Sequence, residues 1–464
     1  MKISLSRRVT AVVAALGLAL VAVPASAANA DDHACGLGET CDGVLSGPLG
    51  DSTFKIKVPE NFNGTVLLNS KQYSASVPIP AGIAVPLGYA ASAYYSPMTI
   101  PGLGAGYAAN GVATVVPEGA PELESALLNQ GYALAGTGLA RQGWAVAEGV
   151  EAGENLIKYI NGGGIKGVKQ ILAWGNSMGA ETTQALIQEN PGKIAGSLPA
   201  CMAPAEFFGD TYMTALYTWK TLIDPTIKGY NYAPGQAGYA QAMGDLQKIL
   251  TTIGAVASGQ ATVSSVGYPI ALSNLLAGLL AGLPTVSPTY DGVTVNPAVA
   301  TLGTAGAIAG GYSPLSSGQS AAAAMLQNVG GIIGTGITLQ LDLEGRARAI
   351  GSIPASEGAA YVGNVGVNYS ELLSAEQRGE FEDTFATAGP GVLDAMLAAL
   401  AAGERVEANP VAAKVVAGLP SASAVYNNKP TVALAGTYDL RVPGVTGDFY
   451  EGMATSKKGK KAVK

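Results

Sequence analysis

Five residues carry the clearest chemical signal in the chain: Gly175-Asn176-Ser177-Met178-Gly179, a serine flanked at two-residue spacing by glycines. A serine hydroxyl attacks a carbonyl carbon when it stands clear of the backbone and a base takes its proton. The bare pattern is weak, since a chain with 63 Gly supplies roughly half such a match by chance. Its position makes it stronger. The pentapeptide directly follows the apolar run Val168 to Trp174, which reads as a strand, and precedes Ala180 to Asn190, which reads as a helix. A sharp strand-to-helix turn has no room for side chains on either flank, so glycines there let the hydroxyl project above the sheet edge. The helix N-terminus then points backbone N–H groups and its dipole at developing negative charge.

The elements that would position this serine follow a strand–helix rhythm. Gly43 to Leu49, Thr53 to Val58 and Thr65 to Leu68 read as short strands, the third after the turn Glu60-Asn61-Phe62-Asn63-Gly64. Gly131 to Gly136 reads as a buried strand, Trp144 to Asn161 as a helix stopped by Gly162-Gly163-Gly164, and Ile194 to Pro199 as a further strand. Alternation of this kind predicts a parallel sheet with crossover helices. From Ala205 to Asn428 the rhythm disappears into helical pieces (Tyr239 to Ile253, Ile270 to Leu283, Tyr369 to Phe385, Gly391 to Ala402) with Gly/Ala/Ser/Thr-rich connections. The sheet signal returns at Pro430 to Gly436. The expected organisation is therefore residues 1–30 as an address, 31–204 as the first part of the core, 205–428 as a helical insertion and 429–464 as the rest of the core.

Residues 1–30 have the form of an export signal. Lys2, Arg7 and Arg8 precede the apolar run Ala11 to Val23, Pro24 breaks it, and Ala25-Ser26-Ala27 and Ala28-Asn29-Ala30 offer small-residue cleavage sites. The run is too short for a spanning helix. Export to an oxidising compartment makes Cys35 and Cys41, six apart, a disulfide pair in preference to a metal site with His33, and leaves Cys201 as a buried, inert thiol. A net charge of −7 with no basic stripe argues against nucleic-acid binding. No cofactor and no metal are expected, and nothing in the sequence sets an oligomeric state.

The run from Gly131 through Pro199 resembles the α/β-hydrolase superfamily, in particular secreted bacterial serine esterases with a large cap. Further matching pieces are Asn63-Gly64-Thr65-Val66-Leu67-Leu68, Leu198-Pro199-Ala200-Cys201 and Leu434-Ala435-Gly436-Thr437-Tyr438-Asp439. The resemblance implies a mostly parallel sheet with flanking helices, the insertion forming a helical cap. It implies Ser177 as nucleophile, Asp439 as the acid of the triad and the Met178 N–H as one oxyanion donor. The second donor would come from the loop around Lys71 and Gln72.

The chain departs from that pattern in one respect. It holds a single histidine, His33, ahead of the sheet, and neither a final apolar strand nor a histidine follows Asp439. Lys71-Gln72 and Asn176 stand where such hydrolases often carry histidine. Three readings are open: a hydrolase whose last core strand is missing from this chain, a non-catalytic relative that binds a small apolar ligand, or a Ser177 activated by another base, with Lys71 the nearest by loop position. The aromatic group Tyr212, Tyr217, Trp219, Tyr230, Tyr232 and Tyr239 would overhang Ser177 and suit a small ester-like substrate. Ordinary packing inside the insertion explains the same residues equally well.

Overall fold

A computed structural model of the protein describes residues 34–73, 112–117, 121–140, 143–202, 205–257, 260, 262–282, 321–384, 391–419, 422 and 429–434. Its frame is a six-stranded sheet in the order β1-β2-β4-β3-β5-β6. The strands are β1 Thr40–Leu45, β2 Ser52–Lys57, β3 Thr65–Ser70, β4 Ala133–Thr137, β5 Gln170–Asn176 and β6 Gly196–Ala200. β2 runs antiparallel to β1 and β4, whereas β4, β3, β5 and β6 are parallel neighbours. Parallel strands need crossover connections, and α1 Pro121–Asn129, α2 Val146–Tyr159 and α3 Met178–Glu189 lie within them. β4 is buried along its whole length, as a central strand covered on both faces should be.

Residues 430–434 lie parallel beside β6. Thr431 bridges to Ser197 and Leu434 to Ala200, with Val432 N–H donating to Ser197 O at 2.9 Å and Leu434 N–H to Pro199 O at 3.0 Å. At the other end, Cys35 and Cys41 form a disulfide, and Cys35 N–H donates to Gly164 O at 2.8 Å. The N-terminal segment is thus tied to the glycine turn that ends α2.

Between β6 and residue 430 the described elements are helical: α4 Ala205–Leu222, α5 Gln236–Ala257, α6 Ile270–Leu280, α7 Ala321–Gly351, a 3-10 turn Tyr369–Leu372, α8 Ala375–Thr384, α9 Val392–Ala402 and α10 Pro410–Ala417. The helix expected over Tyr369 to Phe385 is two pieces. Ser374 starts the second as a capping box, its hydroxyl accepting from Gln377 N–H while Gln377 Oε1 accepts from Ser374 N–H. α7, 31 residues long, has no counterpart among the expected helices. Its glycines are the reason. A side chain at Gly336 would overlap the Tyr212 ring on α4, and one at Gly330 would overlap Ile253 on α5. Those positions lower helix propensity locally, yet they let the helices pack closely. Among the described residues no helix is long and apolar enough to cross a membrane.

The aromatic residues of the insertion are structural. Tyr212 Oη donates to Gly229 O, Tyr217 Oη to Leu400 O and Trp219 Nε1 to Asn274 Oδ1, and all three rings are buried. Tyr232 Oη donates to Asp245, and Tyr230 Oη accepts from Lys220 Nζ. The polar tips of these five side chains are satisfied within the helical layer, which favours packing inside the insertion, one of the two readings open from the sequence.

Glu344, fully buried on α7, accepts the backbone N–H groups of Asn231 and Tyr232 and the Gln340 amide. Burial is the largest influence and raises its pKa to about 7, against the pull of those donors and of Arg348. The folded protein therefore keeps this proton between the ordinary value of 4.5 and about 7, where the unfolded chain has lost it. Stability should fall as pH rises through that window, by about 3 kcal/mol in total. Denaturant unfolding at pH 5 and pH 8 measures the difference. In Glu344→Gln that share of the slope should vanish, while the midpoint at pH 5 drops because one backbone donor loses its acceptor.

Candidate active site

Ser177 sits between β5 and α3 with φ 55° and ψ −127°, a left-sided conformation that a non-glycine residue adopts only when its surroundings enforce it. The enforcement is visible on both sides. Ser177 N–H donates to Ala200 O on β6 at 3.0 Å, and Ser177 O accepts from Ala180 N–H and Glu181 N–H in the first turn of α3. The flanking glycines then explain themselves. A Cβ on Gly175 would lie 2.5 Å from Gly179 O and 2.8 Å from Thr183 Oγ1. A Cβ on Gly179 would overlap the Ser70 carbonyl oxygen and touch Lys71 O at 3.0 Å. Ser177 as a residue is half-buried.

The same contact brings the loop after β3 to the serine's helix. Ser70 pairs with Gly175 in register, and Thr183 Oγ1 donates to Ser70 Oγ at 2.9 Å. Met178 is the first residue of α3 and fully buried; its N–H is one of the opening donors that a helix leaves outside its own ladder. Lys71 and Gln72 follow directly after β3. Lys71 is buried, and its ammonium donates to Val112 O at 2.6 Å. That contact holds the lysine in a structural role and argues against it as the base for Ser177. Gln72 is half-buried. Asp439 and His33 both lie outside the described residues.

Cys201 departs from expectation. It is half-buried, not enclosed, and its φ of 46° marks a sharp bend directly after β6, with its N–H donating to Leu434 O at 2.7 Å. Among the described residues, the buried polar atoms Trp174 Nε1 and Asn176 Oδ1 beside the serine meet no hydrogen-bond partner. Asn176 was visible as the residue preceding the serine; Trp174 carried no signal beyond its place in an apolar strand.

Sequence reasoning also missed the contacts from α7. Tyr73 Oη lies 2.9 Å from Thr338 Oγ1, Trp144 N–H donates to Asp342 Oδ2 at 3.1 Å, and Arg346 Nη2 donates to Glu148 Oε1 at 2.7 Å. The period-four spacing of Thr338, Asp342 and Arg346 is a helical stripe, but it lies in a stretch whose glycines read as connection.

Gly179→Ala tests whether the close approach of α3 to β3 is obligatory. The added methyl must push α3 off Ser70, and stability should fall by about 2–4 kcal/mol. Urea unfolding measures it, with Gly192→Ala, where a Cβ meets nothing within 4 Å, as the neutral control.

No family model matches the chain, and no curated protein matches it. Among solved structures it is similar to an esterase from Aspergillus oryzae, with 12% identity, 90% of this chain and 69% of that one covered, and a TM-score of 0.34. It is also similar to the Pyrococcus furiosus esterase Pf2001 (14% identity, 39% and 57% covered, TM-score 0.24) and to an arylesterase (14% identity, 36% and 46% covered, TM-score 0.22). The chain spans about half the length of these last two structures. Its own geometry is a mostly parallel sheet with one antiparallel arm, crossover helices, and a strained serine between two glycines where β5 turns into α3. That is the fold of the α/β-hydrolase superfamily.

Proposed function

We propose that the protein is a serine hydrolase of small carboxylic esters, acting through an acyl-Ser177 intermediate. The observation that carries this reading is the backbone of Ser177, φ 55° and ψ −127°, held by contacts on both sides at the N-terminus of a helix. A turn of this kind costs about 1–3 kcal/mol and persists where the surroundings over-determine it, commonly at functional sites. In the reaction, Ser177 Oγ forms a bond to the ester carbonyl carbon while its proton passes to a base. The tetrahedral oxyanion is met by the Met178 N–H and by a donor from the Lys71–Gln72 loop. The C–O bond to the alcohol then breaks and the alcohol leaves with that proton. Water repeats the sequence on the acyl carbon, releasing the acid and restoring the serine. Asp439, which follows the strand-like segment 430–434, is assigned to orient the base.

A second reading has an observation of its own. The sequence holds a single histidine, His33, and it precedes the sheet. On that reading the protein keeps the fold and binds a small apolar ligand without turnover. We also infer export, supported by the pattern of residues 1–30 and by the Cys35–Cys41 disulfide.

A fluorophosphonate probe and short p-nitrophenyl esters separate the two functional readings. Wild-type protein should label stoichiometrically at Ser177, confirmed by peptide mass spectrometry, and Ser177→Ala should lose labelling and at least about 10³-fold in ester turnover. Equal behaviour of the two proteins would leave only the binding reading. For export, N-terminal sequencing of protein recovered from culture medium should begin at Asp31.

A further inference from the structure

The loop that follows β3 is pinned from three directions. From α3, Thr183 bonds the Ser70 hydroxyl and Gly179 sits against the Ser70 and Lys71 carbonyls. From the segment before α1, Val112 O accepts the Lys71 ammonium. The third pin comes from the insertion, where Thr338 on α7 meets the Tyr73 hydroxyl at 2.9 Å. The direction of that bond can be assigned. Thr338 Oγ1 has one proton, and it lies 2.8 Å from Thr335 O, the carbonyl one turn back along α7. With that proton spent on the helix, Tyr73 Oη is the donor and Thr338 Oγ1 the acceptor.

Thr338 does not act alone. Asp342 and Arg346 follow at intervals of four on the same face, and each bonds the core just beyond β4: Asp342 at the Trp144 N–H, and Arg346 at Glu148 in the first turn of α2. Arg346 Nε is also 3.8 Å from Asp342 Oδ2, which links the two positions on α7. Glu148, Asp342 and Arg346 are buried. The helix therefore spans the loops after two adjacent parallel strands, β3 and β4, over about 12 Å of its length.

We infer that Thr338 is a positioning residue: through Tyr73 it fixes the Lys71–Gln72 loop against the nucleophile's helix, so that the insertion completes the oxyanion site instead of only covering it. This rests on the acyl-transfer reading of Ser177. Oxyanion donors work when held within a few tenths of an ångström of the developing charge, and a misplacement near 1 Å removes about a hundredfold in rate. Without the Thr338 bond the loop keeps its ties to α3 and Val112 at Ser70 and Lys71 but loses this link from the insertion to Tyr73.

The test uses the full chain with Thr338→Val, Thr338→Ser and Tyr73→Phe. Two quantities are measured: the rate of Ser177 labelling by the fluorophosphonate, with kcat and KM for p-nitrophenyl butyrate, and amide hydrogen exchange at residues 71–73. Thr338→Val and Tyr73→Phe should each slow labelling and lower kcat roughly tenfold to a hundredfold with KM nearly unchanged. The double variant should be no worse than either single one, because both delete the same bond. Thr338→Ser, which keeps the acceptor, should stay within about threefold of wild type, and exchange at 71–73 should quicken only in the first two. A purely structural role would lower the melting temperature without this kcat-against-KM split or the serine rescue. If Thr338→Val fails to fold, Tyr73→Phe removes the bond from the other side and decides alone. Labelled wild type with unchanged labelling and exchange in Tyr73→Phe overturns the inference and leaves the hydrolase reading intact. Unlabelled wild type with faster exchange in Tyr73→Phe removes the hydrolase reading and leaves the pin standing.

Discussion

The contact between Gly179 and the Ser70 carbonyl is the constraint on which the rest of the site depends. β3 and β5 are parallel neighbours in a register that puts Ser70 opposite Gly175, so the chain leaving β3 and the chain leaving β5 emerge side by side. α3 must start immediately after β5, and it can do so only if its first turn lies directly on the β3 exit. Any Cβ at position 179 would fill that space. The close approach forces the turn at Ser177 into a conformation that the serine would not choose, and the Ala200 carbonyl on β6 completes the hold. Strain at the serine and closeness of the Lys71–Gln72 loop are thus two results of one packing decision. The strain is small beside the summed burial of the sheet and helices that impose it.

The layer above this site is built on a different principle. The chain as a whole is only 13% charged, yet buried carboxylates recur within the helical layer, at Asp245, Asp342 and Glu344. Each has a defined set of donors. Asp245 accepts the N–H groups of Lys228 and Gly229 and the hydroxyl of Tyr232. Glu344 takes the two N–H groups that follow, Asn231 and Tyr232, which hold a turn whose backbone no helix or strand satisfies. The connection between α4 and α5 is therefore organised by acidic side chains from α5 and α7. A long irregular connection in a dry layer leaves peptide donors without partners, and a buried carboxylate can accept from two of them at once.

Much of the sheet was legible because its signals are local. Apolar runs bounded by glycine and proline marked five of the six strands to within a few residues, and Val168 to Trp174 followed by Gly-x-Ser-x-Gly located the strained turn. The first strand was placed three residues late, at Gly43, since the disulfide-linked start at Thr40 has no apolar pattern. The Cys35–Cys41 bond was legible from the export pattern of residues 1–30 together with the six-residue spacing. The insertion was not, for a physical reason. Helix signals rest on propensity and on a period of 3.6, and α7 spends Gly330 and Gly336 on close contact with neighbouring helices. Glycine then reads as connection although it is packing. The tyrosines fit either a ligand surface or packing, and the partners that decide for packing in Tyr212, Tyr217, Tyr230 and Tyr232 are carbonyls, a carboxylate and a lysine 10 to 183 residues away, which no spacing rule announces.

These two halves meet through hydrogen bonds and charge, and the choice has a mechanical consequence. α7 packs against α4, α5 and α6 largely through small and aliphatic residues, and outside the close contacts at Gly330 and Gly336 such a surface resists sliding only weakly, because one turn of helix presents much the same shape as the next. Polar matches do not tolerate it. A slip by one turn, about 5.4 Å, would part Thr338 from Tyr73, Asp342 from the Trp144 N–H and Arg346 from Glu148 together, leaving buried groups unpaired at all three places. A buried ion pair such as Glu148–Arg346 adds little net stability over an apolar pair of equal volume, since desolvation offsets the attraction. What it adds is a large penalty for every other register. Because the matched groups stand just beyond β3 and β4, the register so fixed is that of the insertion relative to the strand ends beside Ser177, the residue on which the proposed acyl transfer turns.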